Sequence, residues 1–114
     1  MMAMEKLARE YLSAFARRDI KSLENTLSES VKLRDWNQAA EGIHQVVKVN
    51  EDLFKKFGKV EIDVKNTHSD GDTVVIEFDL ILQNSDEKLE IIVTDIIQFN
   101  SDLKISEIRA YRGN

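Results

Sequence analysis

An α+β domain whose sheet wraps around its helices is the fold class this chain predicts, and three observations carry the prediction. Apolar residues recur at steps of three and four in segments before Gly58, the spacing of one helix face. After Gly58 they recur at steps of two, the spacing of one strand face, and short polar links separate the runs. The sequence contains no proline, so nothing in it interrupts long hydrogen-bonded ladders. Helices gathered towards one end of a chain and strands towards the other bury their apolar faces by packing as two layers.

The first helix follows from Met4, Leu7, Ala8, Tyr11, Leu12 and Phe15, which form a single stripe. Arg17 and Arg18 fall in its expected last turn, where cations complement the carbonyl end of the dipole. Asp19 offers a side-chain oxygen to cap a short second helix with the stripe Ile20, Leu23 and Leu27. From Val31 the period becomes two, with Val31, Leu33 and Asp35 on one face and Lys32, Arg34 and Trp36 on the other. A third helix is predicted by Ile43, Val46, Val47, Leu53, Phe54 and Phe57. It stops at Gly58, a residue able to take the left-handed conformation of helix ends, and Asn50 is the polar outlier on its inner face. Four strands are then expected over 60–68, 73–83, 88–99 and 103–112. Their links are Ser69-Asp70-Gly71-Asp72, Asn84-Ser85-Asp86-Glu87 and Asn100-Ser101-Asp102.

One domain over residues 1–114 accounts for this pattern, and a chain of that size buries roughly two thirds of its unfolded surface without covalent staples. There are no cysteines, which excludes disulfides, thiolate metal sites and a cysteine nucleophile. Sixteen Lys and Arg against 21 Asp and Glu leave a net charge of -5, the wrong sign for a surface that tracks phosphates, so no nucleic-acid partner is expected. The opening MMAMEKLARE is charged and holds no apolar run long enough for a signal or a span, which predicts a soluble, cytoplasmic domain with no membrane partner. His44 and His68 lie far apart and the four glycines are isolated, so neither a metal, nor a phosphate loop, nor a cofactor is predicted.

The anomaly is Asp95. On the longest strand Val74, Ile76, Phe78, Leu80 and Leu82 must meet the helices. The next strand presents Leu89, Ile91, Val93, Asp95, Ile97 and Phe99 on one face, a single carboxyl in an apolar row. An ionised carboxylate there costs several kcal/mol unless it is paired, hydrogen-bonded or protonated. Desolvation predicts a raised pKa and a neutral group near pH 7. The opposite face carries Val75, Ile81, Ile92 and Ile96 among polar residues, more aliphatic surface than a wet sheet needs. A homodimer through this outer face is expected.

The segments YLSAFARRDIKSLENTLSESVKLRDW and TDIIQFNSDLKISEIRAYRG, with the order of elements between them, resemble the nuclear transport factor 2-like superfamily. Ketosteroid isomerase and the SnoaL-like polyketide cyclases are its most similar groups. The resemblance implies a cone-shaped barrel, with three N-terminal helices packed in the concave face of a strongly curved, mainly antiparallel sheet. It also implies a pocket for a small hydrophobic carbonyl compound, and proton transfer next to the carbonyl by an isomerase or cyclase. The isomerase's catalytic tyrosine falls on Tyr11, its base on Asp35 and its protonated aspartate on Asp95, with Tyr11 and Asp95 as donors to the oxyanion. Trp36, Asn50, Phe54, Phe78, Val93, Ile108 and Ala110 are the implied pocket residues. Trp36, Asn50 and Arg112 depart from the isomerase pattern, which has a proline, a tyrosine and an aromatic residue there. Limonene epoxide hydrolases, of similar fold, use a closing-strand aspartate near the position held here by Ala110, which counts against epoxide hydrolysis.

The residues themselves support the same set. Abstracting a proton beside a carbonyl needs a base near the C–H bond and donors at the oxygen, and Tyr11 and Asp95 are expected within hydrogen-bond reach of each other. Structural alternatives stand beside these roles. Tyr11 also suits the core, Asp95 an internal strut, and Asp35 a solvated pair with Arg34. A non-catalytic ligand-binding or dimerisation domain of the same fold is therefore the rival reading.

Overall fold

The computed structural model describes residues 3–114. Helices α1 (Ala3–Ala16), α2 (Ile20–Thr26) and α3 (Ile43–Lys56) pack against one curved, open sheet. Its strands are β1 (Leu27–Arg34), β2 (Ala39–Glu41), β3 (Lys59–Asp70), β4 (Thr73–Gln83), β5 (Lys88–Phe99) and β6 (Ile105–Arg112). Strand order is β2-β1-β6-β5-β4-β3, antiparallel throughout except for the parallel β1–β6 pair. The cone-shaped α+β architecture that the sequence predicts is the one observed.

The alternation on the two longest strands has the predicted phase. Val74, Ile76, Phe78, Leu80 and Leu82 of β4 and Ile91, Val93, Asp95, Ile97 and Phe99 of β5 are all buried against the helices, where Leu23, Val31, Val46, Ile105 and Ile108 complete the core. The outer face is less uniform than its aliphatic content implies. Val75 stands directly opposite Ile96, whereas Ile92 faces Asp79 and Ile81 faces Glu90. The four form two pairs separated by the polar rung Glu77–Thr94. The exposed Tyr111, opposite Thr94 on β6, spans that gap.

Several boundaries differ from the sequence reading, each for a local reason. Helix α1 ends at Ala16, before both arginines. Arg18 takes the left-handed conformation (φ 57°), its N–H donating to the Phe15 carbonyl and that of Asp19 to Ala14 at 3.0 Å each, which closes the helix end. Glycine is the usual residue there. Arg18 serves α3 as well, donating to the carbonyl oxygens of Phe54 (3.0 Å) and Gly58 (3.2 Å). Its charge therefore caps the third helix, not the first. Because this side chain terminates α3, Phe57 simply becomes extended, and Gly58 does not adopt the left-handed conformation expected of it.

Asp19 caps α2 as predicted, with Oδ1 accepting from the Ser22 N–H at 3.1 Å and Oδ2 from its hydroxyl at 2.7 Å. Leu27 belongs to β1, not to the α2 stripe, and β1 is irregular between Leu27 and Lys32. Strand β6 starts at Ile105 because Leu103 (φ 62°) sits in a turn that the Asn100 side chain organises by accepting from the N–H groups of Asp102 and Lys104, both at 3.0 Å. The β3–β4 hairpin is tighter than expected. Asp70 pairs with Thr73, leaving Gly71 (φ 60°) and Asp72 as a two-residue turn. Strand β2 has no counterpart in the sequence reading, since three residues are too few to show a period.

Candidate active site

The concave face and two helices converge on one cavity of about 240 Å³. Tyr11 reaches it from the buried stripe of α1, Asn50 from the inner face of α3 and Asp95 from β5. Asp95 pairs with Ala110 on β6, and Asp35 follows Arg34, whose partner on β6 is Arg109. The two acids thus leave the sheet on either side of Ala110, their backbones about two strand spacings or ~10 Å apart across the sheet. Phe78, Val93, Ile108 and Ala110 form walls, and the exposed Trp36, Asn37, Gln38 and Arg112 form a rim.

Phe54, expected in the pocket, does not line it. Its ring packs edge-on against Phe15 at 5.1 Å between centroids, and Phe15 stands at the cavity wall instead. A larger, more open hollow of about 400 Å³ lies beside α1 and α2, but it holds none of the expected site residues. Its Arg17 and Lys104 are committed to Ser13 Oγ (2.6 Å) and the Asn25 carbonyl (2.6 Å). Chemistry, not size, singles out the smaller cavity.

Tyr11, Asn50 and Asp95 are 5%, 4% and 5% exposed. Asn50 Nδ2 is buried without a partner, and among the described residues no hydrogen bond joins Tyr11 to Asp95; of the contact expected between them, direct or through one water, the direct form is absent. Both groups line the cavity and interact through space. Burial, reinforced by the charge of Asp35, pushes the Asp95 carboxyl up to about 7. Burial first, then the charges of Asp95 and Asp35, hold the Tyr11 phenol far above its ordinary range. At neutral pH the site therefore holds a phenol that keeps its proton and a carboxyl near its midpoint, both able to donate to a bound oxygen.

Asp35 is only half-buried, and its Oδ1 is occupied. It accepts the N–H groups of Asn37 (2.7 Å) and Gln38 (2.9 Å), while the Asp35 N–H donates to the Gln38 carbonyl at 2.9 Å. This is an Asx turn that reverses the chain into β2. Oδ2 has no protein partner among the described residues. An aspartate ahead of Asn37 and Gln38 at the end of a strand is the signal that could have predicted the turn. Arg112 figured in the sequence reading only as a departure, yet it lines the rim with its guanidinium carbon 5.9 Å from the Trp36 ring centroid. Among the described residues, no three His, Asp or Glu side chains cluster to hold a metal ion, and no helix is long and apolar enough to cross a membrane.

No protein of curated description matches the chain significantly. Similarity to solved structures is extensive at low identity. A Shewanella putrefaciens protein described as a SnoaL-like polyketide cyclase superposes with a TM-score of 0.88 at 14% identity, over 98% of this chain and 80% of its own. An M. tuberculosis epoxide hydrolase like the limonene enzyme gives 0.86 at 14% identity, over 96% and 82%. A Kribbella flavida protein described as a ketosteroid isomerase gives 0.80 at 18% identity, over 97% and 78%. These likenesses establish the fold that the three proteins share. The sequence pattern of the SnoaL-like domain matches residues 8–108, nearly the whole of the folded unit, and on that match the chain belongs to the SnoaL-like family within the nuclear transport factor 2-like fold.

Proposed function

We propose that the cavity binds a hydrophobic carbonyl compound and that the site moves a proton next to the carbonyl, as an isomerase or cyclase. The carrying observation is that Tyr11, Asn50 and Asp95, all about 95% buried, line one cavity, and that Asn50 Nδ2 has no partner there. Buried polar groups are otherwise almost always bonded, so a polar ligand atom is what such an arrangement satisfies. In this reading Asp35 Oδ2 takes the proton from the carbon beside the carbonyl. The C–H electron pair becomes the new carbon–carbon π bond and the carbonyl pair moves to oxygen. Tyr11 and protonated Asp95 donate to that oxygen, each contributing ~2–4 kcal/mol if it behaves as other oxyanion donors do. Asp35 then returns the proton to carbon. Alanine at position 110 leaves epoxide opening without the closing-strand aspartate it needs.

A specific observation favours a second reading, ligand binding without catalysis: the Asx turn explains Asp35 as a structural residue. Deuterium exchange separates the two. With cyclohexanone in D2O, proton NMR should show loss of the α-hydrogens faster with the protein than in buffer. Asp35→Asn should stop the exchange while binding persists, because it removes the base and keeps the shape. Binding with no accelerated exchange in the unmodified protein would leave the non-catalytic reading in place of the catalytic one.

Assembly forms part of the proposal. A two-fold dimer through Val75, Ile81, Ile92 and Ile96, with Tyr111 between the two aliphatic pairs, is supported by the apolar content of a strand face turned away from the core.

A further inference from the structure

We infer that Asn50 is a specificity residue of this cavity, selecting a neutral carbonyl compound with a second, uncharged oxygen that accepts from the Asn50 side chain while Tyr11 and Asp95 hold the first. The inference rests on the cavity reading above and adds the chemical class of the ligand.

Donors outnumber acceptors when a simple ketone fills the cavity. A ketone oxygen offers two lone pairs, and the Tyr11 hydroxyl and the protonated Asp95 carboxyl occupy both. Asn50 adds two further N–H groups on Nδ2, which is buried without a partner in a residue only 4% exposed. Its buried neighbours on α3, Val46, Val47 and Phe54, hold no side-chain acceptor. An unmade hydrogen bond on a buried amide is costly. Leucine would fill the same place on this apolar helix face without that penalty, so folding does not call for the amide, and a ligand atom is what satisfies it.

Placement, size and charge define the molecule. Asn50 belongs to the helical layer and Asp95 to the sheet, so a ligand lying between them meets both. The volume of about 240 Å³ equals roughly eight water-sized volumes of ~30 Å³, which suits a single ring with its oxygens at different edges. The terminal torsion of an asparagine is broad, so the amide turns its N–H groups to the ligand without moving the helix. The second oxygen is uncharged because both cations at the wall are engaged. Lys56 pairs with Glu87 at 3.8 Å, and Arg112 donates to the Asn114 carbonyl at 2.6 Å. The carboxylate of Asp35, at the same wall, repels a negative charge.

The test compares cyclohexanone with its ring-oxygen analogues oxan-3-one and oxan-4-one, which replace one CH2 by an ether oxygen and keep size and charge. Affinity is measured by calorimetry, and occupancy of the cavity is followed through the Ala110 methyl NMR signal. An ether oxygen is less hydrophobic than the CH2 it replaces, so against a purely apolar wall both analogues bind more weakly than cyclohexanone. At least one should instead bind about tenfold more tightly, and Asn50→Leu should restore the apolar order with cyclohexanone the tightest. Thermal unfolding followed by circular dichroism should find Asn50→Leu at least as stable as the unmodified protein; a clear loss of stability would identify Asn50 as a structural strut and overturn the inference. Cyclohexanone shifting the Ala110 signal while both analogues bind no more tightly would overturn the inference and leave the cavity reading intact. Equal weakening of all three ligands by Asn50→Leu would place its amide at the first carbonyl oxygen and overturn it likewise. Binding of none of the three at millimolar concentration would overturn the cavity reading and this inference together.

Discussion

Replacing Asp95 with asparagine should change how stability depends on pH more than it changes stability itself. In the unfolded chain the carboxyl titrates near 3.8, and in the folded protein burial and Asp35 raise it to about 7. Between these values the unfolded state has released its proton and the folded state has not. Stability therefore falls as pH rises above about 4 and levels off once pH passes about 7. The separation of the two values, at 1.36 kcal/mol per pH unit, makes the full loss ~4 kcal/mol, of which ~2–3 kcal/mol falls between pH 5 and pH 8. Asparagine keeps the shape and does not titrate, and the cost of its buried amide is the same at both pH values. Urea denaturation of the two proteins at pH 5 and pH 8 isolates the effect, because every other titrating group cancels in the difference. Asp95→Asn should gain ~2–3 kcal/mol relative to the unmodified protein on going from pH 5 to pH 8. A difference between the two proteins that stays constant over this range would refute both the burial penalty and the neutral-acid role built on it.

Three further outcomes follow from the geometry. Ile92, 53% exposed on the outer face of β5, should break the proposed dimer when changed to lysine, and sedimentation velocity at tens of micromolar decides the matter; a monomeric unmodified chain would refute the dimer. Arg18→Ala should destabilise by ~1–2 kcal/mol in urea, since it removes two charged hydrogen bonds to the end of α3 and retains the left-handed backbone. Arg18→Gly should cost about 1 kcal/mol less because glycine relieves that backbone, and equal losses would show that the left-handed conformation is unstrained. Gly58→Ala should be neutral or stabilising by up to ~1 kcal/mol, because the backbone is not left-handed there and an added Cβ meets nothing within 4 Å; a clear destabilisation would contradict the helix end described above.

The layers of this protein are legible in its sequence, because each depends on a period. The stripe from Met4 to Phe15 and the alternation from Val74 to Leu82 specify which face of a helix or strand is buried, whatever the partner across the core. The same alternation exposed Asp95 as a carboxyl in an apolar row, so its raised titration could be anticipated from desolvation alone. Periodicity does not describe contacts between distant segments, and there the reading stopped. That Arg18 would cap α3, 36 residues away, depends on how two helices cross. That Phe54 would lie behind Phe15, and that Tyr11 would face the cavity without bonding to Asp95, depends on distances of an ångström or two between side chains on separate elements. That Arg112 would come to rest over Trp36 required β6 to return parallel to β1, a pairing that joins the last strand to the first. Tertiary structure alone decided these points, because a local pattern records which side of an element is apolar and contains no information about which polar atoms meet once the faces close.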